Sequence, residues 1–162
     1  MQTSEPAQNV KKPDFIQLYK RFNGLENGLK AALRRVGTPE DLRDTAAIYR
    51  LFHEARPNEQ WLRVVFLFPW CEQCKEGMEI NVKPFGALLA DAEVNKSRLF
   101  QMARANDPTD LILLRRLAIQ IKPTLDWNKF GPRLYYWNYE NKRRIVEDFF
   151  YSSSKKTKKE SV

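Results

Sequence analysis

The sequence predicts an all-α protein, and three observations carry that expectation. Apolar residues recur at spacings of three and four over most of the chain, the period that aligns side chains on one face of an α-helix. Glycine is scarce, 6 of 162 residues, which argues against a turn-dense all-β sandwich. Two stretches, Thr38-Pro39-Glu40-Asp41 and Asp107-Pro108-Thr109-Asp110, combine a side-chain cap, a proline and first-turn acids, the chemistry of a helix start. The length is enough to bury a core, as one domain or as two small packed helical modules.

Residues 1–12 hold no apolar run that could serve as a secretory leader and are expected to be a disordered N-terminus. From Phe15 to Val36 the apolar positions Phe15, Leu18, Phe22, Leu25, Leu29, Leu33 and Val36 follow a helical stripe. Asn23-Gly24 and Asn27-Gly28 weaken its middle, so two helices with a break are as consistent as one rod. The helix opened by Thr38-Pro39 is expected to run to about His53. Another is expected from Pro57, followed by an irregular excursion in which Met78 to Lys83 alternates at period two.

After Pro108, the residues Leu111, Leu114, Leu117, Ala118 and Ile121 share a face until Pro123 ends the helix. Asp126 caps a stripe of Trp127, Phe130, Leu134 and Trp137, and Ile145, Val146, Phe149 and Phe150 form the last one. Three such helices with short connections read as an antiparallel bundle. The boundaries expected are an N-terminal helical module over 13–95, a C-terminal helical bundle over 96–151, and a Lys-rich flexible tail over 152–162. No stretch approaches the roughly 20 apolar residues of a membrane span, so a cytoplasmic protein is expected.

"FPWCEQCKEGMEINVK" raises the alternative of a thioredoxin-like thiol-disulfide protein using Cys71 and Cys74. Such a site needs a long helix beginning at the motif, whose N-terminus favours the thiolate, inside a βα-built sheet. Gly77, the alternation and Pro84 are poor material for that helix, so the pair is read as an incidental loop feature. Two cysteines and the one histidine, His53, fall short of the four ligands of a structural zinc site, so neither metal nor cofactor is expected. There is no phosphate-cradling glycine loop and no nucleophile elbow. Glu40, Asp41, Asp107, Asp110 and Asp126 are all accounted for as helix-start residues, so no catalytic residue is assigned.

Charge is the strongest whole-chain signal, at +8. The tail lysines 155, 156, 158 and 159 against Glu160 supply +3 of it, leaving +5 on the body. Arginine pairs recur within helical patterns, and from Lys129 to Arg144 five cations face the single acid Glu140. On the helix from Asp126, Lys129, Arg133 and Tyr136 fall opposite the apolar stripe. Cations beside a ring suit a phosphate backbone with bases to stack, and a solvated helix face fits the same composition equally.

Two segments decide between these readings. "AALRRVGTPEDLRDTAAIYRLF" (31–52) and "SRLFQMARANDPTDLILLRRLAIQIKPTLDWNKFGPRLYYWNYENKRRIVEDFFYSSSKK" (97–156) closely resemble the CasB family, the small subunit of the type I-E CRISPR surveillance complex Cascade; "FGALLADAE" (85–93) also fits the family pattern. The resemblance implies a non-enzymatic, all-helical protein of two modules, present as a head-to-tail pair beside other Cascade subunits. It implies that basic surfaces support guide RNA and target DNA and help hold the displaced strand of the R-loop in antiviral defence. Carried over by position, the implied contacts are Arg34 and Arg35, Arg56 and Arg63, Arg115 and Arg116, and Lys142, Arg143 and Arg144. The Cys71–Cys74 stretch departs from the pattern and gains no role from it.

Overall fold

The computed structural model describes residues 13–160, with side chains through Ser152. Among the described residues nine α-helices alternate with short 3-10 turns, and one small parallel bridge of two two-residue strands joins distant parts of the chain. The stretches expected to be a disordered N-terminus and the chain end at 161–162 lie outside the described residues.

The break within the first stripe is present: α1 spans Phe15–Asn23 and α2 Asn27–Arg35. The Asp14 side chain caps α1 by accepting from the Gln17 amide, and Gly24 closes it with its N–H on the Lys20 carbonyl. The next helix departs from expectation. Thr38 and Asp41 satisfy each other's amides, but only a 3-10 turn follows over Glu40–Asp44. Thr45 then goes extended, and its hydroxyl donates to the Leu42 carbonyl while accepting from the Ile48 amide. A new helix, α3, runs over Ala46–Leu51. A hydroxyl that can bond both turns competes with helix continuation.

Helix α4 spans Glu59–Leu67 under an Asn58 cap, as the Pro57 signal required. Its Leu62, Val64, Val65, Phe66 and Leu67 are all buried. The alternation from Met78 to Lys83 does not make a strand; it contains a 3-10 turn at Glu79–Asn81, with Ile80 almost fully exposed. The extended residues are earlier, β1 at Glu72–Gln73, which pairs in parallel with β2 at Thr124–Leu125.

Beyond the excursion come α5 (Phe85–Asp91), α6 (Lys96–Arg104), α7 (Thr109–Ile121), α8 (Trp127–Tyr135) and α9 (Tyr139–Glu160). The bundle stripes bury as patterned: Leu111, Leu114, Leu117, Trp127, Phe130, Leu134, Ile145 and Phe149 are all inside. The backbone at Ser152, where a flexible tail was expected to leave the fold, stays within α9, which continues to Glu160.

One apolar cluster joins the two expected segments. Helices α1 and α4 pack on α8, and α5 lies against α9. That last contact is close enough to require Gly86, where a Cβ would run into the Ile145 carbonyl; likewise a Cβ at Gly131 on α8 would strike the Phe15 ring. Rings fill the centre, with Trp127 meeting Tyr19, Phe68 and Phe130 at 4.8–6.2 Å between centroids. No helix of the described residues is long and apolar enough to cross a membrane.

Candidate nucleic-acid interface

A cation can grip a phosphate only if its charge reaches solvent, so the eleven candidate cations divide by what their side chains already bond. Four are engaged internally. Arg63 on α4 donates from Nε to the Leu134 carbonyl at 2.8 Å and from Nη2 to the Tyr135 carbonyl at 2.6 Å, satisfying the last turn of α8. Burial lowers its pKa from the usual arginine value. Arg115 on α7 donates to the Val36 carbonyl at 2.5 Å, and its guanidinium lies 4.3 Å from the Phe66 ring centroid. Its pKa is lowered too, first by burial and then by neighbouring Arg116.

Arg133 pairs with Asp148 at 2.8 Å, both largely covered. Lys142 is held deepest. Its ammonium reaches Asp110 at 2.7 Å and the Ala105 carbonyl at 2.9 Å, with the Asp110 side chain 2% exposed. Asp110 also accepts from the Trp137 indole at 2.9 Å. Asp110 is thus more than a helix-start acid; it is the buried anchor of a link between α7 and α9.

The other seven side chains are exposed: Arg34, Arg35, Arg56, Arg116, Lys129, Arg143 and Arg144. Arg34 and Arg35 sit in the last turn of α2, where cations also suit the negative end of the helix dipole. Arg56 lies in the loop between α3 and α4. The Arg115–Val36 bond has Arg35 next to one end and Arg116 next to the other, so the inward arginine brings two outward groups together. Lys129 reaches toward the Glu79 carbonyl at 3.3 Å, and Tyr136, the residue that closes the same helix, is 54% exposed. Arg143 lies over the Tyr139 ring, and Arg144 makes an exposed pair with Glu140 at 3.3 Å. The expected basic face of α8 therefore retains Lys129 and Tyr136 but loses Arg133 to its ion pair.

Residues 29–150 match the family of the CRISPR-associated protein Cse2. The chain belongs to that family. The match takes in every one of the eleven cations and the Cys71–Cys74 stretch. Among relatives of this Cse2 family member, the Cascade subunit CasB of Escherichia coli strain K12 is 32% identical over 153 residues, covering 88% of this chain and 96% of the relative. Among solved structures, a chain in E. coli Cascade bound to a PAM-containing double-stranded DNA target superposes with a TM-score of 0.78 at 30% identity. That superposition covers 88% of this chain and 99% of the other.

The cysteines stand apart from any redox geometry. Both are free and buried, and burial pushes both thiols up, the opposite of an activated nucleophile. After Cys74 the chain makes a turn and a 3-10 segment in place of a long helix. Instead the stretch fastens α8. The Glu72 and Cys74 amides donate to the Pro123 and Leu125 carbonyls at 2.9 and 2.8 Å, and the Cys71 carbonyl accepts from the Trp127 indole at 3.0 Å. Gln73 accepts from the Trp127 amide at 2.7 Å. His53 is exposed just beyond α3, and among the described residues no group of three or more His, Cys, Asp or Glu is placed to hold a metal ion.

Sequence reading missed Lys96, Arg98 and Arg104, exposed cations of α6. Arg98 and Arg116 line one hollow between α6 and α7, where Arg98 donates to Gln120 at 3.3 Å. Pairs such as Arg115-Arg116 are conspicuous in a string of letters, whereas these three are scattered. Their signal was the spacing of Lys96, Phe100 and Arg104, four residues apart on one helix side.

Proposed function

We propose that this chain is the small, non-enzymatic subunit of a type I-E Cascade complex, working in the cytoplasm beside the other subunits and a second copy of itself. Its task is to support guide RNA and target DNA and to hold the opened R-loop through backbone charge, so that guide pairing reads sequence and the protein stabilises the open state. The observation that carries this reading is the division of the cations. Arg34, Arg35 and Arg116 face solvent around a joint fixed by the half-buried Arg115. A guanidinium presents its donors as a planar fork, so less rotamer freedom is lost for each hydrogen bond it makes to a phosphate.

The assignment to Cascade draws on the E. coli relatives, whose own names place them in that complex. The helical frame carries no nucleic-acid-reading module such as a zinc finger or an RNP sheet among the described residues, so weak sequence selectivity and steep salt dependence are expected. The test is a titration of labelled single- and double-stranded oligonucleotides with the full chain at several salt concentrations. Replacing Arg34, Arg35 and Arg116 by Ala is expected to flatten the slope of log affinity against log salt by about three, one for each phosphate no longer gripped. An unchanged slope would remove these three from the interface.

A further inference from the structure

Three cation–ring pairs stand in a row where α6 lies along α9. The helices run antiparallel: Lys142 near the start of α9 bonds the Ala105 carbonyl just past the end of α6, while Phe150 further along meets Phe100 in its interior. Along this seam Arg143 lies 5.0 Å from the Tyr139 centroid, Arg104 5.5 Å from Phe100, and Lys96 5.7 Å from Phe150. Phe100 and Phe150 are 5.8 Å apart, and Phe150 is braced edge-on against the buried Phe149. Tyr139 is 67% exposed, the two phenylalanines are half-buried, and all three cations are exposed. None of those cations belongs to an ion pair among the described residues. Two acids of α9 lie within a turn of Arg143: Glu140, which pairs with Arg144, and Glu147.

Exposed cations alone would follow any polyanion, duplex or single strand. Rings add a requirement, since a base offers its face for stacking only when it is not already stacked inside a duplex. From Tyr139 to Phe150 the α9 axis advances roughly 16 Å, long enough for several backbone units. Each cation is long, flexible and only loosely seated on its ring, so it can turn to a phosphate while the ring face takes a base.

We propose that the α6–α9 seam is a track for single-stranded nucleic acid, with Lys96, Arg104 and Arg143 on phosphates and Tyr139, Phe100 and Phe150 stacking bases. This rests on the nucleic-acid function proposed for the chain and adds to it a second place on the molecule, apart from Arg34, Arg35 and Arg116, and the role of the rings.

The test compares an oligothymidylate with an abasic oligomer carrying the same number of phosphates, each titrated with the full chain and followed by fluorescence anisotropy. The oligothymidylate is expected to bind about tenfold tighter or more, the contribution of at least one stacked base. Combining Tyr139→Leu, Phe100→Leu and Phe150→Leu should bring the ratio near one while leaving the salt slope unchanged. Tyr139→Leu alone, on the ring that packs least, should lower the ratio several-fold with an unaltered melting curve. Equal affinity for the two oligomers, or a ratio that survives both variants, overturns the stacking track and leaves the charge reading standing. Binding to neither oligomer at low salt overturns the charge reading, and the track with it.

Discussion

The α4–α8 seam and the outer flank of α6 and α9 hold the same kind of side chain for opposite ends. On the inner seam Arg63 terminates on two carbonyls of α8, and nearby Lys142 terminates on a carboxylate buried to 2% exposure. On the outer flank Lys96, Arg104 and Arg143 end over half-buried or exposed rings, and Arg116 ends in solvent. The inner cations complete the fold, and the outer ones keep their charge at the surface. The difference teaches that net charge overstates the interface: part of the +8 is spoken for before any polyanion arrives.

The sharpest way to break this comparison is Lys142→Met. It strands the Asp110 carboxylate in the core, where removing one partner of a buried pair destabilises by about 3–5 kcal/mol. The urea unfolding midpoint should fall accordingly, and a midpoint within error of the parent chain would put Lys142 among the free cations. Arg115→Ala comes next. It deletes a charged hydrogen bond and a stacked guanidinium, for a loss of about 2 kcal/mol, while the salt slope changes by less than about one unit.

Arg116→Ala should do the reverse, leaving stability within about 0.5 kcal/mol and reducing the slope by about one. If the two neighbours behave alike in both measurements, the inner-outer division is wrong for α7. The smallest effect concerns the thiols. With both pKa values raised by burial, less thiolate is present at a given pH than in a free cysteine of pKa about 8.5. Alkylation by iodoacetamide in the folded chain should therefore be slower than for glutathione and should climb with pH beyond the ordinary thiol range.

Much of the fold was legible because its signals are local. The Asp126 cap acts within two residues, and the stripes of α7, α8 and α9 need only one helix to be seen. The split at Thr45 was not legible, because a hydroxyl that continues a helix and one that interrupts it are the same letter. The period-two run from Met78 belongs to the irregular excursion expected there, since alternation makes a strand only where another strand is available to pair. For the candidate cations, the positions are read directly from the chain, whereas the partners of their side chains are not. Arg63 finds its carbonyls 71 and 72 residues away, and Arg115 finds Val36 at 79, distances over which no periodicity carries information. The row on α6 went unseen because half of it is supplied by α9.

The parallel bridge that fastens α8 is made chiefly by the main chain at Glu72 and Cys74, whose amides meet the Pro123 and Leu125 carbonyls. Every amino acid except proline brings the same amide to such a joint. Substitutions at the exposed Glu72 therefore leave this joint intact, whereas the buried Cys71 and Cys74 answer to packing as well as to their amides, so a bulky replacement at either would loosen α8 from within.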